Sequence, residues 1–170
     1  MRGCGCGGED VWGEVGRFKG KWCNPKINSM KLSAEQIHDI AGELICGMKV
    51  YINRDKPEYV TILDWDGMYG DTEFWEEEME RIQKEWSHFV VLEKLESWES
   101  FNIMKYFIDE VDDEKMQQVL INTLNRRSPF ANFKAQVESS DFREQWFNFR
   151  QLKYEEHVRQ QLEFEDIEFE

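Results

Sequence analysis

The sequence predicts an α+β fold, in which a small antiparallel sheet, a hairpin plus one further strand, packs with about five helices. Two short runs of β-branched and aromatic residues flank a turn-rich gap, which is typical of a hairpin. Elsewhere apolar residues recur at spacings of three and four, and the C-terminal half shows this helical pattern throughout. The 170 residues are 41% hydrophobic and 14% aromatic, which is enough apolar surface for one core. We therefore expect a single domain over residues 30–163.

The first element of this domain is a predicted helix over residues 33–46. Ser33 and Gln36 fit a capping box, in which each side chain accepts a hydrogen bond from the other residue's backbone N–H. Apolar residues follow at helical spacing, and Gly47 can adopt the left-handed conformation that ends many helices. Both ends of this helix are therefore marked in the sequence.

The next predicted elements form the sheet and a second helix. Residues 50–52 and 59–63 lie on either side of the turn-rich gap and predict a β-hairpin. A helix is predicted over 72–86, where apolar residues recur at helical spacing and three glutamates lie near the N-terminus. Residues 89–92 predict a third strand, which we expect to join the hairpin because three strands with a covered face can be stable.

The rest of the chain is predicted to be helical. Pro129 suits the first turn of a helix, because its missing N–H leaves no hydrogen bond unmade there. Residues 164–170 alternate apolar and acidic side chains, and we expect this acidic tail to fray. The residues predicted to cap or open the C-terminal helices are Ser97, Asp112 or Asp113, Ser128 and Asp141.

Residues 1–29 are predicted to be an unstructured leader rich in glycine and cysteine. An alternative is that they are an upstream extension and that Met30 is the natural start. The leader contains a G-x-G-x-x-G pattern, but this dinucleotide-binding motif requires a preceding strand, and only two residues precede Gly3. Cys4, Cys6 and Cys23 lack a fourth zinc ligand. We therefore expect no cofactor.

The charge of the chain limits its partners. It carries 35 acidic residues against 21 lysines and arginines, which gives a formal net charge of −14. This charge disfavours binding to nucleic acid and suits a basic protein partner. No apolar run approaches the roughly 20 residues that cross a bilayer, so no membrane association is expected. Because the leader has no secretory pattern and cysteines are few, we expect a cytoplasmic protein, with its oligomeric state left open.

One concentrated positive site occurs in this acidic sequence. Arg126 and Arg127 precede the predicted helix start at Ser128, and Lys134 lies within that helix. Free N–H groups at a helix N-terminus beside two guanidinium groups favour an anion or carboxylate receptor. The alternative interpretation is that these side chains pair with local acids and with the negative end of the preceding helix.

Asp64 and Asp66 are candidate metal ligands, because alternating carboxylates open a calcium-binding loop. Gly67 comes too early for such a loop, and a strand-ending turn followed by a helix cap is the alternative. The three histidines are fifty or more residues apart, so none pair at helical spacing. A metal-binding protein or an enzyme would therefore need a site dispersed in sequence, using Asp64, Asp66 and a histidine.

Aromatic residues at helical spacing are predicted to be core residues rather than ligand-stacking groups. The four tryptophans on predicted apolar stripes are Trp75, Trp86, Trp98 and Trp146. Cys46, at the end of an apolar helix face, is likewise predicted to be a small buried residue. The sequence contains no Walker loop, H-E-x-x-H, G-x-S-x-G or C-x-x-C motif, so common enzyme signatures are absent.

Three stretches resemble a known family. They are the Ser97-led helix with Met104 and Phe107, the segment LNRRSPFANFK over residues 124–134, and the final helix with Trp146. Together they resemble the bacterial uncharacterised protein family 0158, with coverage over residues 30–163 and the best match over 97–150. The resemblance implies a small bacterial cytoplasmic protein. It implies no assigned activity, so it identifies no functional residues.

The leading functional hypothesis is a small non-catalytic module for protein interaction or regulation, because an acidic composition is accompanied by no catalytic motif. The alternative is a metal-binding protein or an enzyme with a site dispersed in sequence. A third hypothesis is an acidic nucleic-acid mimic or toxin-neutralising protein, which would bind a basic protein in a salt-sensitive way. An enzyme is the less favoured class.

Overall fold

The computed structural model of the chain describes residues 31–63 and 75–170. Within these ranges it contains six α-helices and three strands, which confirms the predicted α+β class. The predicted leader lies outside the described residues. A 3₁₀ turn, Trp86–His88, precedes the third strand. In chain order the elements are α1 Ala34–Ile45, β1 Met48–Asn53, β2 Tyr59–Leu63, α2 Glu76–Lys84, β3 Phe89–Leu92, α3 Ser97–Asp109, α4 Glu114–Leu124, α5 Pro129–Glu138 and α6 Arg143–Phe164.

The three strands form one antiparallel sheet in the order β2-β1-β3, so the predicted hairpin and third strand are confirmed. β1 is the central strand, in which Val50 pairs with Thr61 of β2 and with Leu92 of β3. Because side chains alternate across a sheet, Val50 points into the core shared with α1 and α6, whereas Tyr51 packs on the opposite face near Ile82 of α2. Helices therefore lie on both faces of the sheet.

The first core lies between α1, the sheet and the second half of α6. Ile37, Ile40 and Leu44 of α1 are at most 2% exposed, and they pack in one cluster with Val158 and Leu162 of α6. Burying an aliphatic side chain of this size contributes roughly 1.5–3 kcal/mol. This core therefore joins the first helix of the domain to the last.

The second core lies between α3, α4, α5 and the first half of α6. The Trp146 ring centroid lies 5.0 Å from those of Phe107 and Phe133, with steeply inclined ring planes. Such edge-to-face pairs contribute roughly 0.5–1.5 kcal/mol each beyond their burial. Trp146 is therefore confirmed as a core residue, while Trp75 is partly buried near Ile82.

Most helix ends lie where the sequence predicts them. The capping box of Ser33 and Gln36 is present at the start of α1, and Gly47 has a φ of 85° just beyond its end. Asp113 caps α4 by accepting hydrogen bonds from two backbone N–H groups. Pro129 is the first residue of α5. These signals are local, so they act independently of how the helices pack.

The helix predicted over 72–86 is Glu76–Lys84 within the described residues, and two helix starts in the C-terminal half are wrong by one or two residues. Glu96, not Ser97, is the N-cap of α3, and it forms a capping box with Glu99. α6 begins at Arg143 rather than at Asp141. The hydroxyl of Ser140 accepts a hydrogen bond from the backbone N–H of Phe142, and this turn delays the helix.

Two of the four predicted core tryptophans and one cysteine are exposed, contrary to prediction. Trp98 is 65% exposed, because it lies six residues before the buried Met104 and therefore about 120° around α3 at 3.6 residues per turn. Trp86 is 56% exposed in the 3₁₀ turn and contacts the edge of the Tyr51 ring. Cys46 is exposed because it is the C-cap of α1 rather than part of its buried face.

The predicted fraying of residues 164–170 is also wrong. The backbone N–H of Leu32 donates to Glu168 O at 3.1 Å, and that of Glu170 donates to Leu32 O at 3.0 Å. Ile167 is 8% exposed within the first core. The alternating pattern of the tail suits an extended segment with one apolar face, and Leu32 provides its partner.

We expect Ile167→Ala to lower the free energy of unfolding by about 2–4 kcal/mol, because it removes a buried side chain from the first core. Phe164→Ala is the matched control, since Phe164 is 84% exposed and its loss should cost less than about 0.5 kcal/mol. Urea unfolding measures both. Equal, small effects would show that the tail does not pack against the core.

Burial raises the pKa of the Tyr59 phenol above its usual 10.0, and Asp39 and Glu43 raise it further. The folded protein then holds this proton more tightly than the unfolded chain does. This contribution to stability is complete below pH 10.0 and is lost as the pH rises through the folded-state pKa. The free energy of unfolding of Tyr59→Phe should therefore fall less between neutral and alkaline pH than that of the wild type. Urea titrations at the two pH values would measure both changes. An equal fall in the free energy of unfolding in the two proteins would contradict the raised pKa of Tyr59.

Candidate anion-binding pocket

A pocket of about 350 Å³ lies between α3, α5 and α6. Pockets for small molecules typically have about this volume or more and are mostly apolar, with a few polar groups. This one has that composition among the described residues. Its lining consists of Leu95, Ser97, Ser100, Ile103, Met104, Phe130, Phe133, Lys134, Trp146, Arg150 and Tyr154.

One of the three candidate anion-site residues lines this pocket. Lys134, on α5, lines the pocket. Arg126 and Arg127 lie exposed between α4 and α5, do not line it, and form no ion pair with a described residue. Ser128, which begins this turn, has a left-handed φ of 59°.

Arg150 is the pocket residue that sequence reasoning missed. It lies on α6 between Trp146 and Tyr154, and the three side chains recur every four residues along one stripe of the helix. The same spacing continues to Val158 and Leu162, which are fully buried in the first core. A cation at this spacing within an aromatic and aliphatic stripe is the sequence signal that marks Arg150.

The guanidinium of Arg150 packs against aromatic rings. Its carbon lies 5.9 Å from the ring centroid of Trp146 and 5.3 Å from that of Phe147. Its Nε is buried and has no hydrogen-bond partner among the described residues. An unpaired buried donor costs roughly 1–3 kcal/mol, a cost that a hydrogen bond to a ligand would relieve.

The electrostatics of the pocket are opposite to those of the whole chain. Lys134 and Arg150 are the charged residues among its described lining, so no carboxylate lines it there. Lys134 Nζ lies 3.8 Å from Glu138 Oε1, a long contact on a side chain that is 66% exposed. Exposed pairs of this kind contribute little, so the ammonium of Lys134 can turn to a ligand at low cost.

Hydroxyl groups and the start of α5 add to the polar character of the pocket. Ser97 and Ser100 lie at the start of α3, and Phe130 lies in the first turn of α5. Helix N-termini carry partial positive charge, and this charge favours anions. The hydroxyls of Ser97, Ser100 and Tyr154 can donate hydrogen bonds to the same ligand.

The dispersed metal site is not supported by the described residues. No group of three or more histidine, cysteine, aspartate or glutamate residues comes together in the ranges 31–63 and 75–170. Asp64 and Asp66 lie outside those ranges. His38 Nδ1 instead lies 2.8 Å from Glu155 Oε1, His88 contacts Asp55, and His157 Nε2 lies 2.9 Å from Glu93 O.

Buried Glu155 belongs to a polar contact between α1 and α6. Its carboxylate lies within 2.8 Å of His38 Nδ1 and 3.4 Å of Arg159 Nη2. Gln151 donates to His38 O at 2.8 Å. Because a buried carboxylate is costly without partners, this network has a structural role in joining the two helices.

The chain belongs to the Uncharacterised protein family (UPF0158), whose model matches residues 43–170. The match begins later than the expected coverage of 30–163 and extends through the packed C-terminal tail. Comparison with curated proteins and with solved structures gives no match. None of the described helices has the length and apolarity needed to cross a bilayer.

We expect Arg150→Met to raise the free energy of unfolding by about 1 kcal/mol, because it removes a buried unpaired donor and keeps most of the apolar contact. Lys105→Met is the control. Lys105 Nζ lies 5.2 Å from the Phe101 ring, so this change removes a cation–π contact from an exposed side chain without relieving a buried donor. It should not stabilise. Strong destabilisation by Arg150→Met would show that Arg150 is a structural residue.

Proposed function

We propose that the protein is a non-catalytic binding module whose pocket takes a small organic anion with an apolar or aromatic body. The observation that carries the proposal is Arg150, a cation with a buried, unpaired Nε in the wall of a largely apolar pocket. Guanidinium groups bind carboxylates, sulfonates and phosphates through parallel hydrogen bonds. The anionic group of the ligand would bind Arg150, with Lys134 at the pocket mouth.

The apolar body of the ligand follows from the rest of the lining. Ile103, Met104, Phe133 and Trp146 are each less than 10% exposed and line the pocket. Aromatic faces there suit a flat or aliphatic group of modest size. A ligand without such a group would leave this apolar surface in contact with water, so burial would contribute little to its binding free energy.

A single anionic group fits better than a polyanion. The chain has a formal net charge of −14, which repels nucleic acids and acidic proteins at long range. A small ligand instead meets the local charge of Lys134 and Arg150, since Coulomb energies between nearby groups exceed those of screened distant ones.

Binding rather than catalysis is proposed because the described lining includes serine and tyrosine hydroxyls but no histidine, cysteine or carboxylate to act as their base. Ligand binding in the pocket would then serve regulation or partner recognition. The family resemblance and the acidic composition support a bacterial, cytoplasmic setting as part of this proposal.

Anilinonaphthalene sulfonate, a fluorescent aromatic anion, is a suitable probe. We expect it to bind the wild type with enhanced fluorescence, and Arg150→Met to weaken binding by about tenfold or more, because a hydrogen bond to a charged group contributes roughly 1.5–3 kcal/mol. Lys134→Met should weaken binding less, since its side chain is mainly exposed. Fluorescence titration gives each dissociation constant.

The matched controls are Arg126→Met and Arg127→Met, which remove the same charge from the neighbouring loop. They should leave the dissociation constant unchanged. If they weaken dye binding as much as Arg150→Met does, the effect arises from overall charge and the pocket assignment is wrong. An unchanged constant in Arg150→Met would contradict it equally.

A further inference from the structure

A second surface, next to the anion pocket, is lined by residues of α3 and α6. Two cavities of about 250 Å³ each share Glu99, His157 and Gln160 and therefore form one continuous groove between α3 and α6. Leu95 and Ile103 line both this groove and the anion pocket. We call this surface the α3–α6 groove.

Exposed aromatic side chains border the α3–α6 groove. Trp98 is 65% exposed, Tyr106 is 58% exposed, and Phe164 at the far end is 84% exposed. Trp98, Asn102 and Tyr106 recur every four residues and therefore lie on one stripe of α3. Trp and Tyr are enriched at protein interfaces, where their burial provides much of the binding energy.

The charges along the groove are mainly negative. Glu99, Glu156 and Glu165 line it, and Lys153 is the one lysine or arginine among its described lining residues. Lys153 and Glu156 form an ion pair with Nζ 2.8 Å from Oε2, and the same Nζ lies 5.6 Å from the centroid of the Phe149 ring. Glu165 forms an ion pair with Arg54, so counting the three carboxylates against Lys153 and Arg54 leaves the groove with a net charge of −1.

We propose that the α3–α6 groove is the docking site for a basic segment of a partner protein, in which arginine or lysine residues alternate with apolar residues. Guanidinium groups can stack on the exposed faces of Trp98 and Tyr106 while they pair with Glu99 and share the carboxylate of Glu156 with Lys153. Apolar side chains of the same segment would fill the two cavities. The overall charge of −14 would further attract such a partner.

A short fluorescein-labelled peptide in which arginine alternates with leucine provides the probe, with a peptide of glutamate and leucine as its reference. We expect the arginine peptide to bind and the glutamate peptide not to bind, as measured by fluorescence anisotropy. Trp98→Ala with Tyr106→Ala should weaken binding about tenfold or more, because both stacking surfaces are lost. Trp86→Ala, at a 56% exposed residue outside the groove, should have no effect.

Two double variants with the same change in charge distinguish binding in the groove from attraction by the overall charge of the protein. Glu99→Gln with Glu156→Gln removes two groove charges, and Gln at position 99 can still complete the capping box of α3. Glu77→Gln with Glu85→Gln removes the same charge from the exposed side of α2 and its end. We expect the groove pair to weaken peptide binding about tenfold and the α2 pair to have a much smaller effect.

Several results would overturn the proposal. These are absence of binding by the arginine peptide, equal weakening by the two glutamate pairs, and equal binding of the glutamate peptide. Sedimentation of the free protein tests whether a second copy of this chain occupies the groove instead. A dimer that Trp98→Ala with Tyr106→Ala dissociates would show that a second copy of this chain, rather than a basic partner, covers the groove. Thermal melting confirms that each variant is folded.

Discussion

Helix α6 packs into both large cores and joins the two halves of the fold. This helix has 22 residues and therefore spans about 33 Å at 1.5 Å per residue. Trp146, near its start, belongs to the second core, whereas Val158 and Leu162 belong to the first. The sheet with α1 and the group α3, α4 and α5 are thus held on one common helix.

The position of the anion pocket follows from this arrangement. Along the stripe of α6 that begins at Trp146 and ends at Leu162, the two ends are covered by the cores, and the middle lines the pocket. Arg150 and Tyr154 occupy that middle, where long side chains with polar ends can pack their stems and keep a polar group available. The buried, unpaired Nε of Arg150 is costly to the fold.

Local signals made much of the fold predictable from the sequence. The capping box at Ser33, the glycine at 47, the cap at Asp113 and the β-rich runs act through neighbouring residues, so each was readable without tertiary information. The exposure of Trp98 and the packing of Ile167 depend on which faces meet across the chain. Periodicity alone identifies an apolar stripe but not what covers it.

The candidate site was predictable only in part, for the same reason. Lys134, a predicted cation near a helix start, lines the pocket, but Arg126 and Arg127, which were predicted with it, do not. Its actual neighbour Arg150 comes from another helix.

Anion binding by Arg150 can be tested by NMR. The ¹H–¹⁵N resonance of Arg150 Nε, assigned by its loss in Arg150→Met, is followed during titration with anilinonaphthalene sulfonate. A large, saturable shift of this resonance is the expected result, and a resonance unchanged at saturation would contradict anion binding in the pocket.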